Sequence, residues 1–126
     1  MRVLAVDDEP AMGSMVRRIL RPEGHSVVTA TGGEEALHLL ALEPFDVVIS
    51  DVGMGPRMNG WALAAEIRQH YPELPVVLAT GWGASIDPSE ARAKCVDAVL
   101  AKPYQPADLE EMLARVTAPE RSLEAA

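Results

Sequence analysis

Short apolar runs alternate along this chain with longer segments in which apolar residues recur at every third or fourth position. The runs are rich in β-branched residues and too short for helices, which indicates strands buried within a sheet. The run that ends on Asp51 is the clearest example. We predict five strands, at residues 2–6, 26–30, 47–51, 74–79 and 97–101.

The segments between these runs have the spacing and the boundary residues of helices. Pro10 suits the first turn of a helix, where its missing N–H costs nothing, and Asn59 is a favourable helix cap. Apolar stripes such as Met12, Met15, Val16 and Ile19 would face the sheet. We predict five helices, near residues 10–20, 34–42, 60–70, 87–94 and 107–116.

The regular alternation of strand and helix predicts an α/β fold with a parallel sheet, right-handed crossovers and helices on both faces. A chain of 126 residues without internal repeats fits one domain with a single substantial core. We assign residues 1–118 to that domain. Residues 119–126 have no apolar face and are expected to form a disordered tail.

Charge and cysteine content exclude several classes of protein. The net charge is −8 and only two lysines are present, so no basic stripe is available for direct binding of nucleic acid. The single Cys95 fits a reducing compartment without internal disulfides. Acidic residues from Asp7 onward interrupt any signal-peptide core, and no apolar run has the length to cross a membrane. We therefore expect a cytoplasmic protein.

Polar residues that could carry chemistry follow the predicted strands at their carboxyl ends. Asp7 and Asp8 follow the first strand, Asp51 ends the third, Thr80 follows the fourth and Lys102 follows the fifth. Ligands of open parallel sheets bind outside this edge. We therefore expect these side chains to form one site.

Such a site would attract a divalent cation. Three carboxylates in close proximity repel one another, and with one ammonium group they sum to a charge of −2. Oxygen ligands without histidine or cysteine favour Mg²⁺, or Mn²⁺, over zinc. A hydroxyl and an ammonium beside the metal would suit the oxygens of a phosphoryl group.

Each of these residues also has an ordinary structural interpretation. Asp7 and Asp8 could cap the helix that begins at Pro10, and Asp51 could cap the turn after its strand. Thr80 could simply end a strand, and Lys102 could be a solvated surface lysine. The joint placement of all five at one edge favours the functional interpretation.

The ordered set Asp7-Asp8, Asp51, Thr80 and Lys102-Pro103, over a five-fold β/α chain, resembles the receiver domain of bacterial two-component response regulators. The resemblance spans residues 2–116. It implies a flavodoxin-like sheet with strand order 2-1-3-4-5, similar to chemotaxis regulators. It further implies a regulatory phosphoprotein rather than a conventional enzyme.

The resemblance also implies a role for each site residue. Asp51 would be the phosphoacceptor. Asp8 and Asp51 would bind Mg²⁺ directly, Asp7 through water, and Gly53 through its backbone carbonyl.

In the same family likeness, Lys102 would pair with Asp51 before the reaction and with the phosphoryl group afterwards. Thr80 would donate its hydroxyl to a phosphoryl oxygen and move inward. The phosphoryl donor would be a histidine kinase or a histidine phosphotransfer protein. Docking would involve exposed positions on the first helix, namely Gly13, Ser14 and Arg17.

The target of the switch is an unknown downstream protein, and a weak homodimer is compatible with the sequence. The resemblance leaves open whether the chain is a stand-alone regulator or the receiver of a hybrid histidine kinase. The sequence names neither the kinase nor the pathway.

The chain departs from the family pattern at three places. The loop from Asp51 to Gly60 is one residue longer than usual, and Val99 stands where an aromatic residue often takes part in switching. Gly53 and Trp82 occupy positions that tune dephosphorylation, and neither supplies a carboxylate or amide, so we expect slow phosphoryl loss.

Three alternatives remain at this point. The longer loop and Val99 would fit a receiver-like interaction module that works without phosphate. A haloacid-dehalogenase-like phosphotransferase would need a second acid two residues after Asp51, where Gly53 stands. A flavodoxin-like FMN carrier would need a phosphate loop after the first strand, where acids stand instead.

Overall fold

The sheet has the predicted topology. The computed structural model describes residues 1–53, 58–80, 96–102 and 104–117, with the backbone alone for Thr80. Five strands pair in parallel in the order β2-β1-β3-β4-β5, which is the flavodoxin-like arrangement. The strands are β1 (Arg2–Val6), β2 (Ser26–Ala30), β3 (Val47–Asp51), β4 (Val76–Thr80) and β5 (Ala98–Ala101).

Four α-helices lie within the described residues. They are α1 (Pro10–Leu20), α2 (Gly33–Leu42), α3 (Gly60–His70) and α4 (Pro106–Val116), and a 3₁₀ turn at Arg21–Glu23 follows α1. The predicted helix at 87–94 and the predicted tail at 119–126 lie outside the described residues. None of the described helices has the length and apolar character needed to cross a membrane.

The fourth strand begins and ends later than the sequence predicted. Pro75 has no N–H to give to a strand ladder, and the N–H of Leu74 instead donates to the carbonyl of Tyr71 at 3.0 Å. At the other end, Thr80 pairs with Ala101 and therefore belongs to the strand.

The helices cover both faces of the sheet, as predicted. On one face, α1 and α4 bury Val16, Leu20, Leu109 and Leu113 against β-strand residues such as Ile49. On the other face, α2 and α3 bury residues that include Ala36, Leu40, Leu63 and Ile67. Alternate residues of a strand point to opposite faces of the sheet, and helices cover both faces. The residues on both faces must therefore be apolar, which explains the continuous apolar runs in the sequence.

Helix α1 packs closely against β2 at Gly13. We expected Gly13 to be exposed, and this was wrong, because the residue is buried. A Cβ atom at this position would lie 2.8 Å from Cγ2 of Thr29. The glycine therefore permits the close approach of helix and strand, and it offers no surface for docking.

Candidate functional site

The strand register brings the ends of β1, β3, β4 and β5 to one edge of the sheet. Val6 lies beside Ser50, Asp51 lies beside Ala79, and Thr80 lies beside Ala101. Asp7, Asp8 and Lys102 follow directly after their strands. The predicted convergence at the carboxyl edge is therefore present in the backbone itself.

Three carboxylates meet at this edge. One oxygen from each of Asp7, Asp8 and Asp51 lies within 4.8 Å of the other two. Asp8 is exposed to solvent, whereas Asp7 and Asp51 are largely buried. A ligand could therefore reach the group from the side of Asp8, whereas Asp7 and Asp51 are less solvated.

Lys102 bridges two of the three acids. Its Nζ lies 3.0 Å from Oδ1 of Asp51 and 3.2 Å from Oδ2 of Asp7. Burial alone would lower the pKa of Lys102, but the hydrogen bond to Asp51 and the two negative charges outweigh burial and raise it. Lys102 is therefore a firmly charged member of the site rather than a solvated surface lysine.

The contact between Lys102 and Asp7 was not predicted. The sequence assigned Asp7 to the metal and paired Lys102 with Asp51 alone. Since strands β1, β3 and β5 all end at this edge, one flexible lysine can reach both carboxylates.

Asp51 stands on a firmly held backbone. Its strand is hydrogen-bonded to β1 on one side and β4 on the other, and the buried Ser50 hydroxyl donates to the Asp51 carbonyl at 3.0 Å. The N–H of Gly60 donates to the carbonyl of Val52 at 2.7 Å. A Cβ on Gly60 would collide with the Asp51 carbonyl oxygen and would lie 3.0 Å from Cα of Val52.

Asp7 has a structural role in addition to its place in the site. Its N–H donates to the carbonyl of Ala30 at 3.0 Å, and its Oδ1 accepts the N–H of Glu9 at 2.9 Å. The cap of α1 is Glu9, which makes no side-chain capping bond. Asp7 therefore holds the turn before α1, and its other oxygen remains on Lys102.

Thr80 and Gly53 are the two remaining predicted site residues. The backbone of Thr80 ends β4 at the same edge, but its side chain lies outside what the structure describes. Gly53 is exposed just after Asp51. The loop at 54–57, Trp82 and Pro103 lie outside the described residues.

Tyr104 lies beside the site and was missed by the sequence reasoning. Burial raises the pKa of its hydroxyl, the charges of Asp7 and Asp51 raise it further, and Lys102 opposes them. The Tyr104 hydroxyl is therefore within electrostatic range of Asp7, Asp51 and Lys102. An aromatic residue two positions after Lys102 was the available signal.

The arrangement fits a small divalent cation. Opposite ligands of Mg²⁺ are about 4.1 Å apart in an octahedron, so oxygens within 4.8 Å need only small side-chain movements. Three acids and one ammonium leave a charge of −2 that such an ion would balance. The three carboxylates therefore form a group of oxygen ligands suited to Mg²⁺.

Comparisons with known proteins agree with this geometry. The sequence model described as "Response regulator receiver domain" matches residues 3–114. The response regulator protein FleR of Pseudomonas aeruginosa is 40% identical over 114 residues, which are 90% of this chain and 24% of FleR. The transcriptional regulatory protein GlrR of Escherichia coli is 41% identical over 101 residues. The chain spans about a quarter of the length of these curated relatives.

Solved structures show the same fold. The chemotaxis protein CheY4 of Vibrio cholerae has a TM-score of 0.82 at 36% identity, covering 91% of this chain and 97% of its own. The response regulator TrrA of Thermotoga maritima, solved in complex with Mg(2+)-BeF, has a TM-score of 0.81 at 30% identity, with the same coverage.

Proposed function

Because the chain belongs to the response regulator receiver family, it is a phosphoacceptor module of two-component signalling, and we propose that Asp51 is the acceptor. The observation that carries this assignment is the 3.0 Å contact between Lys102 Nζ and Asp51 Oδ1, within a cluster of three carboxylates. Receiver domains act as regulatory modules and interact with histidine kinases.

The proposed transfer moves a phosphoryl group from the imidazole of a phosphohistidine to Asp51. A carboxylate oxygen of Asp51 attacks phosphorus, the P–N bond breaks, and its electron pair stays on the departing imidazole nitrogen. The product on Asp51 is an acyl phosphate. Catalysis of such transfers consists mostly of positioning and charge neutralisation.

Lys102 supplies part of that neutralisation. Its ammonium lies 3.0 Å from one oxygen of the Asp51 carboxylate, and the neighbouring carboxylates raise its pKa, which keeps it charged. After transfer, the ammonium of Lys102 would pair with a phosphoryl oxygen instead of the Asp51 carboxylate. Thr80 ends the adjacent strand. Its hydroxyl would donate a hydrogen bond to a second phosphoryl oxygen, and the residue would move inward.

The metal would be Mg²⁺, with Mn²⁺ as a substitute. Asp8 and Asp51 would bind it directly, Asp7 through water, and Gly53 through its carbonyl. When bound, the ion would offset negative charge on the phosphoryl oxygens. The clustered carboxylate oxygens support the three aspartates of this set, and the related TrrA was solved with Mg(2+)-BeF.

The phosphoryl donor would be a histidine kinase or histidine phosphotransfer protein in the cytoplasm, and the target would be an unknown downstream protein. The exposed Ser14 and the half-buried Arg17 on α1 remain our proposed docking positions. A weak homodimer and slow loss of the phosphoryl group also remain predictions.

The assignment is tested by incubating the chain with acetyl phosphate and following its intact mass. We expect the gain of one phosphoryl group that depends on Mg²⁺ and is lost in Asp51→Asn. Asp46→Asn is the matched control, because it makes the same change at an exposed aspartate on the opposite edge. Labelling that persists in Asp51→Asn would refute the assignment, and no labelling of the wild type would favour the phosphate-independent module.

A further inference from the structure

A groove at the amino edge of the sheet has no part in the proposed phosphorylation. Its walls are the segment that leads from α2 into β3, residues 42–46, and the segment that leads from α3 into β4, residues 71–75. Its volume is about 700 Å³. Strand β3 separates it from Asp51 by four residue steps, or about 13 Å.

The floor and walls of this groove are mostly apolar. Phe45 and Tyr71 are half-buried in opposite walls, and Leu40 and Leu74 lie beneath them. Leu42 is 68% exposed, and in the described part of the chain it is the large hydrophobic residue left open to solvent. An apolar side chain of a partner would therefore gain buried area here.

The walls are suited to being covered. Pro44, Pro72 and Pro75 line the groove and have no N–H, so an apolar group placed over them leaves no donor unpaired. The wall at residues 71–75 is also fastened to β3, because the N–H of Val48 donates to the carbonyl of Pro75 at 3.0 Å. A partner would therefore meet a shape that is largely formed before binding.

The rim of the groove carries negative charge. Glu43, Asp46 and Glu73 line it, and no basic side chain does among the residues that the structure describes. Arg2, beneath Phe45, pairs with Glu43 at 2.8 Å, and its backbone N–H donates to Asp46. Arg2 against these three carboxylates leaves an excess of two negative charges. Arg68, which donates to the Pro72 carbonyl of the other wall, pairs with Asp97, which lies outside the rim.

We propose that this groove is a docking site for a segment of a partner protein that places an apolar side chain against Leu42 and flanks it with lysine or arginine. The apolar floor supplies contact area, and the acidic rim selects basic flanks and repels acidic ones. Nucleic acids and anionic membranes are disfavoured by the same charge. A second copy of this chain is disfavoured by its net charge of −8.

The test uses a library of short random peptides displayed on phage and selected on the full chain. We expect the selected peptides to combine a leucine, phenylalanine or tryptophan with at least one adjacent arginine or lysine. Anisotropy with the synthetic peptides should show Leu42→Asp and Glu73→Arg each weakening binding about tenfold or more.

Glu111→Arg is the charge-matched control, because Glu111 is exposed on α4 at the opposite face. It should leave binding unchanged, and so should Asp51→Asn, which makes the test independent of phosphorylation. Unchanged thermal midpoints would show that the variants are folded. Selection of no peptide, selection of acidic peptides, or binding unaffected by both groove variants would overturn the proposal. Concentration-dependent self-association that Leu42→Asp removes would overturn it in favour of a second copy.

Discussion

Two ion-pair clusters at opposite edges of this sheet are buried to nearly the same degree and serve different ends. At the amino edge, Asp97 and Arg68 have side-chain exposures of 12% and 27%. At the carboxyl edge, Asp7 and Lys102 have exposures of 11% and 23%. Burial therefore does not distinguish a structural pair from a chemical site.

Charge balance and hydrogen bonding do distinguish them. Asp97 Oδ2 accepts from Arg68 at 2.8 Å and from the N–H of Val76 at 2.7 Å, and Arg68 also donates to the carbonyl of Pro72. Asp97 and Arg68 pair with each other, and the pair fastens α3 to the starts of β4 and β5. The carboxyl edge sets three acids against Lys102, which leaves charge for a ligand to neutralise.

The largest expected effect is on phosphoryl transfer in Lys102→Met. Removal of the ammonium takes away a positive charge that would offset the charge on the transferring phosphoryl group, so the rate of labelling by acetyl phosphate should fall about a hundredfold. Intact mass measured over time at saturating Mg²⁺ gives this rate. A rate within about twofold of the wild type would remove Lys102 from the mechanism.

Substitution at the amino edge should instead change the stability of the fold. Asp97→Ala leaves the Val76 N–H and the Arg68 guanidinium without this acceptor, which should lower the free energy of unfolding by about 2 kcal/mol. Urea denaturation followed by circular dichroism measures it, and labelling of the folded variant should be unchanged. A loss of labelling without a loss of stability would reverse the two roles.

Gly60→Ala should disturb the carboxyl edge through the backbone. The added Cβ meets the Asp51 carbonyl and the Val52 Cα, so the unfolding free energy should fall by about 1–3 kcal/mol, with slower labelling. Gly32→Ala is the matched control, because a Cβ there meets nothing within 4 Å. Equal effects of the two variants would contradict the tight packing at Gly60.

Mg²⁺ should stabilise the fold by binding to the three carboxylates at the carboxyl edge. At a free concentration ten times its Kd, the ion should add about 1.4 kcal/mol and raise the melting temperature by several degrees. Calorimetry with and without EDTA measures the shift. Asp8→Asn should reduce it strongly and Asp97→Asn should preserve it, whereas loss of the shift in Asp97→Asn would place the metal elsewhere.

The smallest effect concerns alkaline pH. The pKa of Lys102 is raised in the folded chain above its ordinary value of 10.5, so its contribution to stability is complete below 10.5. That contribution is lost as pH rises through the raised value. Urea titrations should show a steeper alkaline decline for the wild type than for Lys102→Met. If stability declined equally with pH in the wild type and in Lys102→Met, the pKa of Lys102 would not be raised in the folded chain.

The sequence sufficed for those parts of the fold that depend on local pattern. Strands buried on both faces must be apolar throughout, and residues such as Pro10 and Asn59 mark helix starts. Asn59 indeed accepts the N–H of Ala62 at 2.9 Å. The start of β4 was placed too early because the apolar run begins at Leu74, whereas Pro75 delays the ladder.

The contacts of the site depend on distances that the sequence does not contain. Strand order brings Asp7 and Asp51 together, but the bridging position of Lys102 follows from side-chain reach. Gly13 looked like an exposed helix position, and only the packing against Thr29 shows why it is a glycine. The roles of Thr80 and Gly53 rest on family resemblance and stay predictions.

The anchoring of Asp51 limits how a signal can leave the site. Its strand is paired on both sides, and Gly60 is pressed against its carbonyl, so the main chain has little room to yield. An added phosphate must then be accommodated by the groups that face it. Amide hydrogen exchange in β3 should stay slow in both the phosphorylated and the unphosphorylated protein. Differences in exchange rate between these two forms should appear in the neighbouring segments around Lys102 and the end of β4.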